Sequence, residues 1–377
     1  MSELADVLEA IESLSRAGER MALATIVAVK GSTYRRPGAR LLVSASGDMV
    51  GNISAGCLEG DVAEVAKVVM VDGEPRLASF DLTSDDEAVW GWGLGCNGAI
   101  EVFVEPADRA AEVAGALRRA LEEERPLASV TVLDSQTDGV ERGARLLVDP
   151  DGGREGSLGA SEQDDAAARA AAEQLAARRS EIRELPGGVR AFVEVLDPPL
   201  RLLICGAGHD VIPLVEYASM LGWKPVVVDE RGEFLTRERF PHAAGFVHVE
   251  RPEAAAEAAG VDERTFVMVM SHNYLRDKDY LRGFLGSDAA YLGLLGPRQR
   301  TERLLDELAA ESVEPSPQDH KKMFGPAGLD VGSEGPEEIA AAIVAEILAV
   351  RRGRGAGFLR DRSGPIHERM EDRGPWR

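Results

Sequence analysis

A cysteine, Cys57, stands in the run Gly56-Cys57-Leu58-Glu59-Gly60, a short way behind a Gly/Pro loop that carries Tyr34, Arg35 and Arg36. Two kinds of chemistry suit this pattern. A thiol in a folded chain is most often a small hydrophobe. Among glycines and polar residues, backbone N–H groups or a helix starting near Asp61 would instead lower its pKa and favour the thiolate, a nucleophile and soft ligand. Adjacent arginines in a loop are either a solvated turn or a bidentate clamp for phosphate. Cys96 lies in a second glycine-rich loop, Trp90 to Gly98, and is placed to line the same cavity. Trp90 and Trp92 there are packing residues or platforms for a planar heterocycle.

A second constellation begins at Gly206-Ala207-Gly208, which follows an apolar run and precedes a helical pattern. This is the context of a dinucleotide fingerprint, with Gly206 for the tight turn and Gly208 for approach of a pyrophosphate. Val211 replaces the third glycine. Asp229 ends the next apolar run, where an acid binds a ribose hydroxyl. The same residues also fit a Rossmann shell kept only as a scaffold. His209 and His272 each follow a buried strand at its carboxyl end, where α/β sheets place ligands, and Arg298 follows another strand as an anion contact or a helix cap.

The elements that position these residues can be read from periodicity. Residues 3–16 are amphipathic at helical spacing, while Met21–Val29, Arg40–Val43, Val50–Ile53 and Ala99–Val104 read as strands. Val62–Val71 reads as a helix, or as a helix running into a strand. GARLLV occurs at Gly38 and again at Gly143, and at the same offset Gly47 matches Gly152 and Gly51 matches Gly156. The expectation is an α+β domain over 1–198 built from two related β-rich repeats, about 20–106 and 125–198. The copies differ at Cys57, which aligns with Glu162, and at Gly56, which aligns with Ser161. Pro198-Pro199 marks a boundary. Continuous apolar runs at Phe266–Met270 and Tyr291–Leu295 predict a Rossmann-like, doubly wound parallel sheet over 199–352, with helices at Arg300–Leu308 and from Pro336. A polar, mobile tail is expected over 353–377.

Bulk composition narrows the partners. At 377 residues the chain is long enough for real cores, and its net charge of −22 argues against nucleic acid and against an anionic membrane surface. The amino terminus lacks a secretory pattern, and no apolar run reaches transmembrane length, so the cytoplasm is the expected compartment. Three cysteines without a CxxC pair give neither a disulfide framework nor a closed zinc site.

GSTYRRPGARLLV, VGNISAGCLEGDV and GLGCNGAIEVFVEP resemble the N-terminal domain of the XdhC/CoxI family, accessory factors of xanthine dehydrogenase and related molybdenum hydroxylases. LLICGAGHD, VVVDER, YLGLLGPRQR, GPAGLDVG and PEEIAAAIVAEILAVRR resemble its C-terminal Rossmann domain. The resemblance implies a maturation factor, more carrier than turnover enzyme. Such a factor binds molybdenum cofactor (molybdopterin, a pterin with a dithiolene and a phosphate tail), works with a cysteine desulfurase or other sulfurtransferase, and delivers the cofactor to the apo-enzyme. It places Cys57 at the molybdenum or its sulfur. Arg35, Arg36, Gly56, Glu59 and Cys96 then join the cofactor site, with Gly206, Gly208, His209, Asp229, His272 and Arg298 on the Rossmann side. The family's His-Asp pair reads His272-Asn273 here, so an acid's role passes to Asp277 or Asp279. A homodimer is the expected assembly. The alternatives are an NAD(P)- or nucleotide-dependent oxidoreductase using the Rossmann domain, and a docking platform for hydroxylase subunits.

Overall fold

The computed structural model describes residues 3–32, 34–54, 56–81 and 97–363. They form two compact units, Glu3–Pro198 and a second that begins at Pro199. No described helix is long and apolar enough to cross a membrane.

The first unit runs twice through one plan. Helix α1 (Glu3–Ala17) leads into β1 (Met21–Ser32), β2 (Arg40–Ser44), β3 (Met49–Gly51), α2 (Glu59–Asp72), β4 (Arg76–Asp81) and β5 (Asn97–Pro106). Helix α3 (Ala107–Glu122) then leads into β6 (Leu127–Asp134), β7 (Arg145–Val148), β8 (Arg154–Ser157), α4 (Ser161–Ala177), β9 (Glu181–Leu185) and β10 (Val189–Leu196). The two antiparallel sheets have orders β3-β2-β1-β5-β4 and β8-β7-β6-β10-β9, identical position by position. The repeated glycines are repeated because the backbone demands them. Gly51 and Gly156 have φ near +93° and +87°, and a Cβ on either would stand 2.4 Å from the carbonyl oxygen of Arg40 or Arg145. The reading of two related β-rich repeats therefore holds.

Each sheet buries one face under its own helix. Val62, Ala66 and Val69 of α2 pack on Ala24, Ile26, Leu41 and Val102, while the alanine face of α4 packs on Val130, Val132 and Leu146. Val62–Val71 is helical throughout, because Val62, Ala66 and Val69 recur at the helical period, and Gly73 in the left-handed region ends it. The strand the sequence suggested there comes only after the cap, as β4.

The other faces meet each other. Val27, Phe103, Leu133 and Phe192 form a small apolar cluster drawn equally from both copies. Around it two ion pairs cross between the sheets in opposite senses. Arg40 of β2 reaches Glu194 of β10 at 2.6 Å, and Arg145 of β7 reaches Glu105 of β5 at 2.7 Å. Arg190 and Glu101 make a third crossing at 2.5 Å.

The second unit is a six-stranded parallel sheet in the order β13-β12-β11-β14-β15-β16. Its elements are β11 (Arg201–Cys205), α5 (Val211–Met220), β12 (Lys224–Asp229), β13 (Gly245–His248), α6 (Ala255–Ala258), β14 (Thr265–Val269), α7 (Tyr274–Phe284), β15 (Tyr291–Leu294), α8 (Arg298–Ala310), α9 (Pro317–Lys322), β16 (Met323–Phe324) and α10 (Pro336–Arg351). One face packs under α5 and α10, the other under α6, α7 and α8. This is the doubly wound Rossmann arrangement: β11 and β14 are paired neighbours whose connections, into α5 and α7, leave to opposite faces, which makes their carboxyl ends the topological switch point.

Removing one member of a buried cross-copy pair leaves its partner charged and dry. Arg145→Ala is expected to cost about 3–5 kcal/mol in chemical denaturation, and the double change Arg145→Met with Glu105→Leu much less. Equal losses in the single and double variants would refute the assignment.

Candidate functional site

Cys57 is presented by a helix start that the second copy builds differently. In that copy α4 begins at Ser161, the counterpart of Gly56. In the first copy Gly56 adopts a φ of +106°, the chain stays non-helical through Leu58, and α2 begins only at Glu59. Cys57 thereby leaves the helix and becomes a half-buried residue just ahead of it. A Cβ on Gly56 would meet nothing within 4 Å, so the backbone beside the thiol is open among the described residues.

Ser54 and Glu59 hold this turn. The Ser54 hydroxyl accepts from the N–H groups of Cys57 and Leu58, both at 3.0 Å, and donates to a Glu59 oxygen. The Glu59 carboxylate also accepts from the N–H of Ser54 at 2.8 Å, Leu58 at 3.2 Å and Ile53 at 3.3 Å. Burial pushes the Glu59 pKa up, but these donations, that of the Ser54 hydroxyl foremost, outweigh it and hold the group below its ordinary 4.5. Asp164, at the same place in the second copy, likewise accepts from Leu158 N–H at 2.7 Å and from the Ser157 hydroxyl at 2.8 Å. Glu59 is thus a brace common to both copies. Ser54 belongs to the first alone; the second has Gly159.

Of the two adjacent arginines, Arg35 makes a bidentate pair with Glu3 of α1, 2.8 Å at each nitrogen. The same Glu3 accepts from Asn52 N–H at 3.0 Å, so the pair ties the basic loop to the start of α1 and the end of β3. Arg36 is exposed, and its side chain makes no hydrogen bond or ion pair among the described residues. Cys96, Trp90 and Trp92 lie outside the described residues.

The Rossmann candidates gather at the carboxyl ends of the strands in the second unit. Gly206 needs to be glycine for packing, since a Cβ would stand 2.6 Å from the Met270 carbonyl oxygen after β14. Val211, at the third fingerprint position, is wholly buried as the first residue of α5. Asp229 is buried and has all four acceptor sites in use. Oδ1 accepts from Arg231 N–H at 2.9 Å and Nε at 2.8 Å, and Oδ2 from Ala207 N–H and Arg231 Nη2, both at 2.8 Å. Burial raises its pKa, and the Arg231 contacts more than reverse the shift. A ribose hydroxyl would have to displace Arg231 to bond this carboxylate.

His272 is paired with Asp210, its Nε2 2.7 Å from the carboxylate. Asp277, one acid the sequence offered for that role, is buried and bonds instead to the Ser271 hydroxyl at 2.5 Å and Arg300 at 2.6 Å. For Asp279, the other, burial raises the pKa. His209 and Arg298 are exposed, with no side-chain hydrogen bond or ion pair among the described residues. Sequence reasoning missed Ser54, Glu3, Arg231 and Asp210. Only Ser54 left a trace there, as a serine where the other copy has Gly159.

A sequence profile described as the XdhC and CoxI family matches residues 14–81 and 120–186, one segment in each copy. A profile described as the XdhC Rossmann domain matches residues 202–347. A Bacillus subtilis (strain 168) protein, named as a probable subunit of xanthine dehydrogenase, is 30% identical over 342 residues, covering 91% of this chain and 96% of that one. The uncharacterized protein YqeB of Escherichia coli (strain K12) is 28% identical over 255 residues, 64% of this chain and 46% of that protein. A crystal structure described as a xanthine dehydrogenase from Bacillus halodurans matches with a TM-score of 0.74 and 30% identity, covering 93% of this chain and 97% of the other.

The depressed Glu59 pKa gives a signed pH dependence. Its stabilising contribution is complete above the unfolded value of 4.5 and is lost as pH falls through the lower folded value. Wild type should therefore be more stable than Glu59→Gln at neutral pH, with the difference shrinking as the solution is acidified below about pH 4.5. Denaturant titrations of both proteins across pH 3 to 7 check this; a gap constant with pH contradicts it.

Proposed function

The chain belongs to the XdhC and CoxI family, and from that premise we propose that it is a maturation factor for a molybdenum hydroxylase such as xanthine dehydrogenase. In this reading it binds molybdenum cofactor as cargo, holds it while a sulfurtransferase installs the terminal sulfur, and passes it to the apo-enzyme. The relatives named for xanthine dehydrogenase support the choice of partner.

One observation carries the role of Cys57. Two copies of a single fold share sheet order, glycine positions and the carboxylate brace, yet only the first unwinds its helix start to present a thiol. A scaffold alone does not need that departure. The fit to the cargo is chemical. A half-buried thiol at a helix start is a soft donor toward molybdenum or sulfur, and no described atom lies within 4 Å of where a Cβ on Gly56 would be. Arg36, without an acid partner among the described residues, is the first cation available to a phosphate tail. Arg35 joins it when an anion displaces Glu3. Ser54 and Glu59 act on the cargo only through the turn they hold.

The test is molybdenum and pterin content after isolation from cells that make the cofactor. Cys57→Ala should carry several-fold less than wild type at equal folded protein, and Arg36→Ala should carry less pterin. Equal loading of wild type and Cys57→Ala overturns the role of the thiol.

A further inference from the structure

Helix α1 covers part of the first sheet, and the matching part of the second sheet is open. The apolar stripe of α1, Leu4, Val7, Leu8 and Ile11, joins Leu42 of β2, Val50 of β3 and the alanines of α3 in one cluster. The approach is close at Gly51, where a Cβ would stand 2.9 Å from Val7 Cγ2. Arg118 of α3 meets Glu12 of α1 and ties the two helices together. In the second copy α3 precedes β6 as α1 precedes β1, but α3 packs chiefly on α1, β1, β5 and β6.

Residue by residue, the second copy shows what α1 would have covered. Leu147 corresponds to Leu42 and Glu155 to Val50, and each two are cross-strand neighbours in their own sheet. Leu42 is buried, whereas Leu147 is half-buried and all four residues of β8 are exposed. At Gly156, the counterpart of Gly51, the three atoms nearest a Cβ all belong to β7 and none to a helix. A cleft of about 250 Å³ lies here, between the carboxyl end of α3 and β7 with β8. Ala120, Leu127 and Leu147 line it and belong to the same apolar cluster that α1 seals over the first copy. Arg119 and Glu155, paired with each other, stand at the rim. The volume is below the roughly 300–1,000 Å³ of small-molecule pockets, which favours a few anchoring side chains over a whole ligand.

We propose that this cleft receives an amphipathic helix from another protein, with aliphatic residues at i, i+3, i+4 and i+7, seated as α1 is seated on the first copy. The first copy is the argument for a helix: at the same strand positions, and against the same helix α3, the chain places one of its own. A second copy's α1 fits less well, because it would have to leave a groove that already buries Val7, Leu8 and Ile11. Glu155 in place of Val50 puts charge at the margin of the cleft, so charged residues flank the stripe of the incoming helix. The inference is independent of Cys57 and of its cargo.

The probe is a fluorescein-labelled peptide of the α1 sequence, Glu3–Ala17, titrated by polarisation into the full chain, Leu147→Asp and Glu155→Val. Saturable binding to wild type is expected. Leu147→Asp sets a charge on the apolar floor and should weaken binding about tenfold or more. Glu155→Val copies Val50 on an exposed strand, a change the fold tolerates, and should tighten binding several-fold. The same peptide with Val7→Asp and Ile11→Asp should not bind. Absence of saturable binding to wild type, or an affinity unchanged in either folded variant, overturns the proposal. Sedimentation of wild type and Leu147→Asp checks the other occupant: a dimer lost in the variant assigns the cleft to a second copy and overturns the proposal too.

Discussion

Two buried arginines, each answered by a glutamate from the other copy, fix how the first unit is built. Arg40 depends on Glu194 and Arg145 on Glu105, so neither sheet can withdraw without stranding a charge away from water. An apolar seam of Val27, Phe103, Leu133 and Phe192 would give adhesion without direction. The charged pairs set the register, because a slip of one residue along a strand turns the glutamate to the opposite face. Arg145 is further satisfied by Thr131 at 3.1 Å, whereas the Nε of Arg40 is buried without a partner. A cavity of about 20 Å³ lies among these same residues, enough for one water able to complete the set. The two halves of the seam are alike in plan and unequal in hydrogen bonding.

A rigid duplicated frame lets one copy change locally. Gly51 and Gly156 keep one backbone path, and Glu59 and Asp164 keep one brace. With those constraints intact, replacing a helical residue by Gly56 at φ +106° unwinds the start of α2 without disturbing the sheet beneath it. Leu58 remains 3% exposed and Gln163, its counterpart, is likewise 3% exposed, so the helix seats on the core in both copies despite different first turns. The thiol is therefore offered by a local change in a held structure, which makes its position reproducible.

What the sequence discloses and what it hides divide along physical lines. Repetition of GARLLV and of spaced glycines disclosed the two sheets, because a positive φ or a blocked Cβ constrains residue type directly. Continuous runs such as FVMVM disclosed the parallel sheet, whose strands are covered on both faces. The ambiguous stretch after Asp61 was hidden, since its β-branched valines fit either period until packing on the sheet beneath selects the helix. Polar partnerships were hidden almost entirely. Asp229 has the spacing of a ribose-binding acid, yet its acceptor sites are filled by Arg231 and Ala207. Glu3 and Arg35 meet from the start of α1 and the β1–β2 loop, and Asp210 and His272 from different strands of the parallel sheet. Periodicity carries no information about such pairs.

Those last two contacts share a consequence for a protein this acidic. At each, a carboxylate of the chain lies on a side-chain donor, Arg35 or His272, that an anionic ligand would use. Arg35 and Glu3 are 28% and 39% exposed, so their pair is worth on the order of 1 kcal/mol or less in water, and His272 is 60% exposed over an Asp210 that is 14% exposed. A phosphate with more acceptor oxygens and a larger charge can replace such a partner, while a weaker anion gains little by doing so. Under the proposed function, the Glu3 carboxylate would act as a threshold on what binds at Arg35. An uncovered arginine pair would attract acidic side chains within a Debye length of about 8 Å at physiological salt, and Glu3 already occupies Arg35.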